Sequence, residues 1–88
     1  MTKRKYLTVW VRFRNDGLML PRAILWDDGR HYIIDKVKSI EKAAARKSGG
    51  QGDRYTVVIG GKLYDLFFEH STRPDSCRIG RWFLDGVE

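Results

Sequence analysis

Apolar and polar positions alternate most clearly in residues 54–68, on either side of Gly60 and Gly61. Two glycines in a two-residue loop allow the positive φ angles of a tight hairpin turn. The resulting register pairs Ile59 with Lys62 and ends with Arg54 opposite Phe67. Side chains alternate along a strand, so one face of this hairpin is almost entirely apolar. That face, which we assign to the core, carries Tyr55, Val57, Ile59, Tyr64, Leu66 and Phe68.

The same period-two pattern predicts strands over residues 4–14 and 18–27, joined by a turn at residues 15–17. Pro21 has no amide hydrogen, so it predicts irregular pairing at a bulge or an edge. Asp28 and Gly29 predict a second two-residue hairpin, in which Leu25 pairs with Tyr32. The core face of the first strand is expected to carry Leu7, Val9, Val11 and Phe13.

The pattern in residues 35–47 is compatible with either a strand or a helix. We favour a strand to about Ile40, followed by an extended or helical-turn excursion. Residues 48–53 predict a flexible connector and residues 71–76 a loop. The final strand covers residues 77–84, with Trp82 and Leu84 on one face.

Together these segments predict a single all-β domain over residues 1–88, with about five to six strands. A chain of short antiparallel hairpins can remove its exposed edges by closing on itself. The expected fold is therefore a small antiparallel SH3-like barrel or a strongly bent sheet. One short helical turn around residues 40–47 is compatible with it.

The chain has 17 Lys and Arg against 11 Asp and Glu, a net charge of +6. This excess favours acidic partners, nucleic acid among them, although solubility alone also explains a basic domain. The apolar run near the N-terminus is too short for a signal peptide and is interrupted by Arg12. No stretch approaches the roughly 18 apolar residues of a membrane span. These features predict a cytoplasmic protein with no membrane partner.

Candidate chemistry for catalysis is sparse. His31, His70 and Cys77 are too few and too scattered for a metal site, and a lone cysteine is usually a small buried side chain. Asp28 already has a role in a turn. The glycine-rich residues 49–52 lead into a strand, whereas a phosphate-binding loop opens a helix. The sequence therefore predicts a non-enzymatic protein with no cofactor.

Basic residues lie beside aromatic ones at several strand ends. Small barrels bind single-stranded nucleic acid by stacking bases on aromatic rings in a basic groove. This would require Tyr6, Trp10 and Trp82 to share an exposed face, and the competing interpretation is that the tryptophans fill the core. The candidate binding surface consists of Trp10, Arg12, Arg14, Arg54, Phe67, Arg78, Arg81 and Trp82.

The favoured function is a binding module that acts through protein–protein interaction, by a sheet edge or an aromatic patch. The partner is not identifiable from the sequence. Binding of single-stranded DNA or RNA is the alternative. An exposed edge strand could also pair with a second copy in a homodimer.

Residues 20–32, 49–55, 66–69 and 81–84 together resemble a group of short, uncharacterised bacterial proteins. The resemblance implies a compact, SH3-like β-domain with no established activity. It transfers no catalytic residue to this chain. Fold analogy alone assigns no function, so any function has to be argued from a site.

Overall fold

A computed structural model of the chain describes residues 4–42, 52–71 and 77–85, with only the backbone at Asp85. All regular structure in these ranges is β, which confirms the all-β part of the predicted fold class, and none of it is a helix that could cross a membrane. The expected helical turn, most of the connector and most of the last loop lie outside the described residues. The strands are β1 (Arg4–Leu7), β2 (Val9–Phe13), β3 (Met19–Leu25), β4 (His31–Ile33), β5 (Lys36–Glu41), β6 (Asp53–Ile59), β7 (Lys62–His70) and β8 (Gly80–Asp85).

The strands form two antiparallel sheets. The large sheet has five strands in the order β1-β8-β7-β6-β5, and the small sheet has three in the order β2-β3-β4. The chain passes between them at Thr8 and again at Ile34 and Asp35. At the first bend the Thr8 carbonyl accepts a hydrogen bond from the N–H of Leu25 in β3 at 2.9 Å, so the backbone stays paired with β3 there.

The expectation of a closed barrel is wrong. Ile34 N–H still donates to the Arg22 carbonyl at 2.9 Å, but the next amide, of Asp35, donates to Val58 at 2.8 Å. The pairing with β3 therefore ends where the pairing with β6 begins, and β3 and β5 do not pair. Two of the six predicted strands are each divided by a bend, which is why the described residues hold eight strands.

The hairpin of β6 and β7 has the predicted register at every pair from Ile59–Lys62 to Arg54–Phe67. Gly60 and Gly61 have φ angles of 59° and 81°, as a tight two-residue turn requires. The core face is also as predicted, apart from Tyr64. Tyr64 is 39% exposed because it lies close to the turn, where the surrounding residues are in solvent.

The turn between β3 and β4 is longer than predicted. Trp26 N–H donates to the Arg30 carbonyl, so residues 27–29 form a three-residue loop and Leu25 pairs with His31 in place of Tyr32. A two-residue loop would require positive φ at Asp28, and only glycine adopts positive φ among the described residues. Residues 15–17 form the same kind of loop, closed by Arg14 and Leu18.

The pairing of β2 with β3 is irregular beside Pro21, as predicted. The register shifts between Trp10 and Val11, which leaves Arg22 as the extra residue of a bulge. Leu7 and Val9 pack against the core, but Val11 and Phe13 are 41% and 67% exposed, so the predicted core face of the first strand is only half right. The tip of the β2–β3 hairpin extends past the core and is exposed within the described part of the chain.

One core lies between the two sheets. The large sheet contributes most of it, and Ile24 and Ile34 enter from the other side. Trp82 is 7% exposed, with its ring centroid 5.0 Å from that of Tyr55 and 4.9 Å from that of Phe68. The buried residues of this cluster are Ile24, Ile34, Tyr55, Val57, Leu66, Phe68, Trp82 and Leu84.

Candidate functional site

The predicted binding residues do not form one surface. Trp82 is buried in the core, so it is not available to a ligand and the proposed stacking role for it is wrong. Arg54 and Phe67 lie on the outer face of the large sheet, where Arg54 forms an ion pair with Glu41 at 3.2 Å. Trp10 belongs to the small sheet.

The outer face of the large sheet holds a row of aromatic side chains. Phe83 lies between two core residues of β8, so its side chain points away from the core. Its ring stacks on that of Phe67 at a centroid distance of 5.1 Å and contacts Tyr6 at 5.5 Å. Phe83 is only 1% exposed, which makes this row a second, small core on the outside of the sheet.

Charged side chains cover this outer row. The guanidinium of Arg81 lies 4.0 Å from the centre of the Tyr6 ring, and that of Arg4 lies 4.8 Å from the centre of Phe83. Glu69 accepts hydrogen bonds from both arginines, at 2.9 and 3.2 Å. Arginine therefore already occupies ring faces on which a nucleic-acid base would stack, and the cluster stabilises the sheet.

The small sheet leaves apolar side chains open to solvent. Trp10, Ala23 and Ile33 are directly opposite one another across its three strands, and Trp10 and Ile33 are 45% and 64% exposed. The His31 ring packs edge-on against Trp10 at 4.7 Å.

The remaining predicted binding residues are basic and exposed. Arg12 and Arg78 are exposed, and Arg14, on the same hairpin as Arg12, forms an ion pair with Asp16 at 2.9 Å.

A groove of about 490 Å³ opens where β3 and β5 separate. Its β3 wall is apolar apart from Arg22, and its β5 wall mixes the apolar Val37 and Ile40 with polar and charged residues. Pro21 forms part of the β3 wall and is itself fully buried. The lining residues are Leu18, Leu20, Pro21, Arg22, Ile34, Asp35, Lys36, Val37, Lys38, Ser39 and Ile40.

Strand β5 is an edge of the large sheet. It pairs with β6 alone among the described strands, so the backbone groups on its other side have no strand partner there. The register of β5 shifts between Val37 and Ser39, which places Lys38 in a bulge. Pro21 reduces the number of amide donors on the opposite wall. On the β5 side the groove therefore offers backbone N–H donors along a strand edge. On the β3 side it offers mainly side chains.

The charge at the rim of the groove is positive. Arg22, Lys36 and Lys38 are exposed, and none forms an ion pair with a described residue. Asp35 is the acidic residue of the lining, and its carboxylate accepts a hydrogen bond from Gly60 N–H at 3.0 Å. The groove thus combines an apolar wall on the β3 side, a strand edge with no second partner among the described strands, and three cationic side chains.

A second polar cluster lies at the start of β6. Asp53 is only 4% exposed. Its carboxylate lies 2.8 Å from His70 Nε2 and 3.7 Å from Lys42 Nζ. Burial and, to a smaller extent, the charge of Asp53 raise the pKa of Tyr55. No three His, Cys, Asp or Glu side chains in the described ranges lie together as metal ligands. Cys77 is exposed, contrary to the expectation of a buried thiol, because it precedes the buried part of β8.

The groove residues were missing from the sequence prediction. The gap depends on where β4 stops pairing with β3, and nothing in the alternation pattern encodes that point. Two features of the sequence do point to this gap. Pro21 marks an irregular edge, and Lys36 and Lys38 place charge on a strand that is otherwise apolar on its core side.

Compared with models of protein families, with curated proteins and with solved structures, the chain matches none.

Proposed function

We propose that this protein is a non-enzymatic binding module, acting in the cytoplasm, that takes a segment of a partner protein into the groove between β3 and β5. The observation that carries the proposal is the edge of β5, which has no second strand partner in the part of the chain that the structure describes and lies beside an apolar wall. Edge strands bind extended segments through main-chain hydrogen bonds, and pockets for alternate side chains give specificity. An SH3-like topology and kinship with short bacterial proteins stay predictions within this proposal.

An apolar wall at an exposed edge also supports an interaction role. An unprotected edge is a template for pairing with another chain, and soluble proteins usually cover or charge it. Here the β5 edge carries lysines but stays accessible along the groove. An accessible groove of this composition favours a reversible partner over a purely structural role.

Binding of single-stranded nucleic acid is the second candidate, and Trp10 is the observation that favours it. Its ring is 45% exposed on a basic protein, and exposed aromatic rings stack bases. The burial of Trp82 and the arginine on Tyr6 weaken this candidate, because Trp10 is then the one open ring of the three predicted together.

Selection from a displayed library of random peptides tests the proposal. The immobilised full chain is expected to enrich peptides that bind in the micromolar range. Leu18→Arg should abolish their binding, because it places a large charged side chain in the groove wall without touching the core. Phe13→Arg is the matched control, an exposed apolar residue of the same hairpin that does not line the groove.

Titration with a labelled oligodeoxythymidine and an oligouridine tests the alternative. Binding that weakens as salt rises and is lost in Trp10→Ala would establish nucleic acid as the ligand. The proposal predicts no such binding at low salt. Failure of the library to yield any binder would contradict the proposed function.

A further inference from the structure

The geometry of β5 fixes which backbone groups face the groove. A two-residue hairpin begins with a hydrogen-bonded pair, Ile59 and Lys62, and antiparallel pairs then alternate. The residues of β6 that turn toward β5 are therefore Val58, Thr56 and Arg54. Their partners in β5 are Lys36, Ser39 and Glu41. Val37 and Ile40 lie between these partners, so their N–H and C=O groups point away from β6, to the side on which the groove lies.

The length of this edge is set by the residues that line the groove. Five consecutive residues, Lys36 to Ile40, run along it. At about 3.3 Å per residue the edge is about 16 Å long, enough for an extended segment of about five residues. Such a segment turns alternate side chains to opposite faces, one toward the apolar wall and one toward the lysines.

A second copy of this chain is a poor occupant. Pairing β5 with β5 would bring Lys36 and Lys38 of one copy beside those of the other, and like charges opposite each other destabilise a strand pair. The bulge at Lys38 disturbs regular pairing with either kind of occupant, so the charge of the lysines decides between them. The same lysines attract a strand that carries carboxylates.

We infer that β5 accepts an acidic, extended segment of a partner protein as an added strand, with apolar side chains alternating with Asp or Glu. The inference rests on the proposed function and specifies its ligand. The segment pairs with the backbone of Val37 and Ile40. Its acidic side chains meet Arg22, Lys36 and Lys38, and its apolar ones lie over the wall formed by Leu18, Leu20 and Pro21.

The composition of the library peptides is the first test. The inference predicts enrichment of an alternating apolar–acidic pattern over about five positions. Lys38→Glu should weaken the best peptide about fivefold, since it replaces a surface attraction by a repulsion. Lys62→Glu, an exposed lysine of the same sheet outside the groove, makes the same change in net charge and should alter affinity less than twofold.

Methylation of the peptide backbone is the second test. Every second amide of an added strand donates to the edge, so methylating one alternate set should weaken binding about tenfold and methylating the other set should not. Binders without acidic residues, equal effects of the two lysine variants, or equal effects of the two methylated sets would overturn the inference while leaving the binding module intact. A library that yields no binder at all would overturn both.

Discussion

The two sheets use their apolar residues differently. The large sheet buries aromatic rings on both faces, with Trp82 and Phe68 inside and Phe83 outside under a layer of arginine and glutamate. The small sheet leaves Trp10, Phe13 and Ile33 exposed. In the large sheet the predicted binding residues, such as Trp82 and Arg81, stabilise the fold. The surfaces left for a partner lie on the small sheet and at its junction with β5.

The largest expected contrast is in stability. Phe83→Ala removes a fully buried ring from the outer row and should lower the free energy of unfolding by about 3–5 kcal/mol. Phe13→Ala, at an exposed position of the small sheet, should change it by no more than about 0.5 kcal/mol. Urea unfolding of the two variants measures both values. Equal losses would show that the outer row is not a second core.

A smaller contrast separates two glycines with similar φ angles. Gly17 and Gly52 have φ of 90° and 85°, but a Cβ on Gly52 would lie 2.7 Å from the Phe68 carbonyl oxygen, while one on Gly17 would meet nothing within 4 Å. Gly17→Ala should cost about 1–2 kcal/mol for the left-handed backbone alone. Gly52→Ala should cost a further 1–3 kcal/mol or so because of overpacking against the large sheet. Thermal unfolding of both variants tests this, and equal costs would contradict the close approach.

The smallest effect concerns the turn between β3 and β4. The Tyr32 hydroxyl donates to Asp28 at 2.7 Å, and this hydrogen bond, followed by that from Arg30 N–H, lowers the pKa of Asp28. A lowered pKa in the folded state stabilises the turn above the ordinary carboxyl pKa of about 3.9, and this contribution is lost as the pH falls through the folded value.

Carboxyl-carbon NMR titration measures this effect directly. Tyr32→Phe should raise the Asp28 midpoint toward its ordinary value. Tyr64→Phe, which changes a tyrosine outside this turn, should leave the midpoint where it is. A midpoint that does not respond to Tyr32→Phe would assign the shift to the backbone amide alone.

The success and failure of the sequence prediction follow the range of the interactions involved. The register of β6 and β7 is set by Gly60 and Gly61 and by side-chain alternation, both local, and every predicted pair is present. The loop at residues 27–29 is also local, but the prediction placed the glycine at the second of two loop positions, whereas it is the third of three.

The remaining differences come from contacts between distant parts of the chain. Whether the sheet closes depends on Ile34 and Asp35, which end one ladder and start another. The three apolar residues at 32–34 and the two polar ones after them do not say which strand each residue pairs with. The alternation pattern puts Trp82 and Leu84 on one strand face, and both are buried. It does not say that this face is the core one, because that depends on strands far away in sequence. The groove forms because β3 and β5 do not pair, and the sequence pattern alone does not predict that two strands stay unpaired.

The central claim, that the edge of β5 is the binding surface, is tested most directly by amide hydrogen exchange of the full chain with and without the best acidic library peptide. Added protection is predicted at Val37 and Ile40, the residues whose backbone faces the groove, with little change at Ser39, which already pairs with Thr56. Protection confined to Trp10 and its neighbours on the small sheet, or no added protection in β5 at saturating peptide, would contradict the claim.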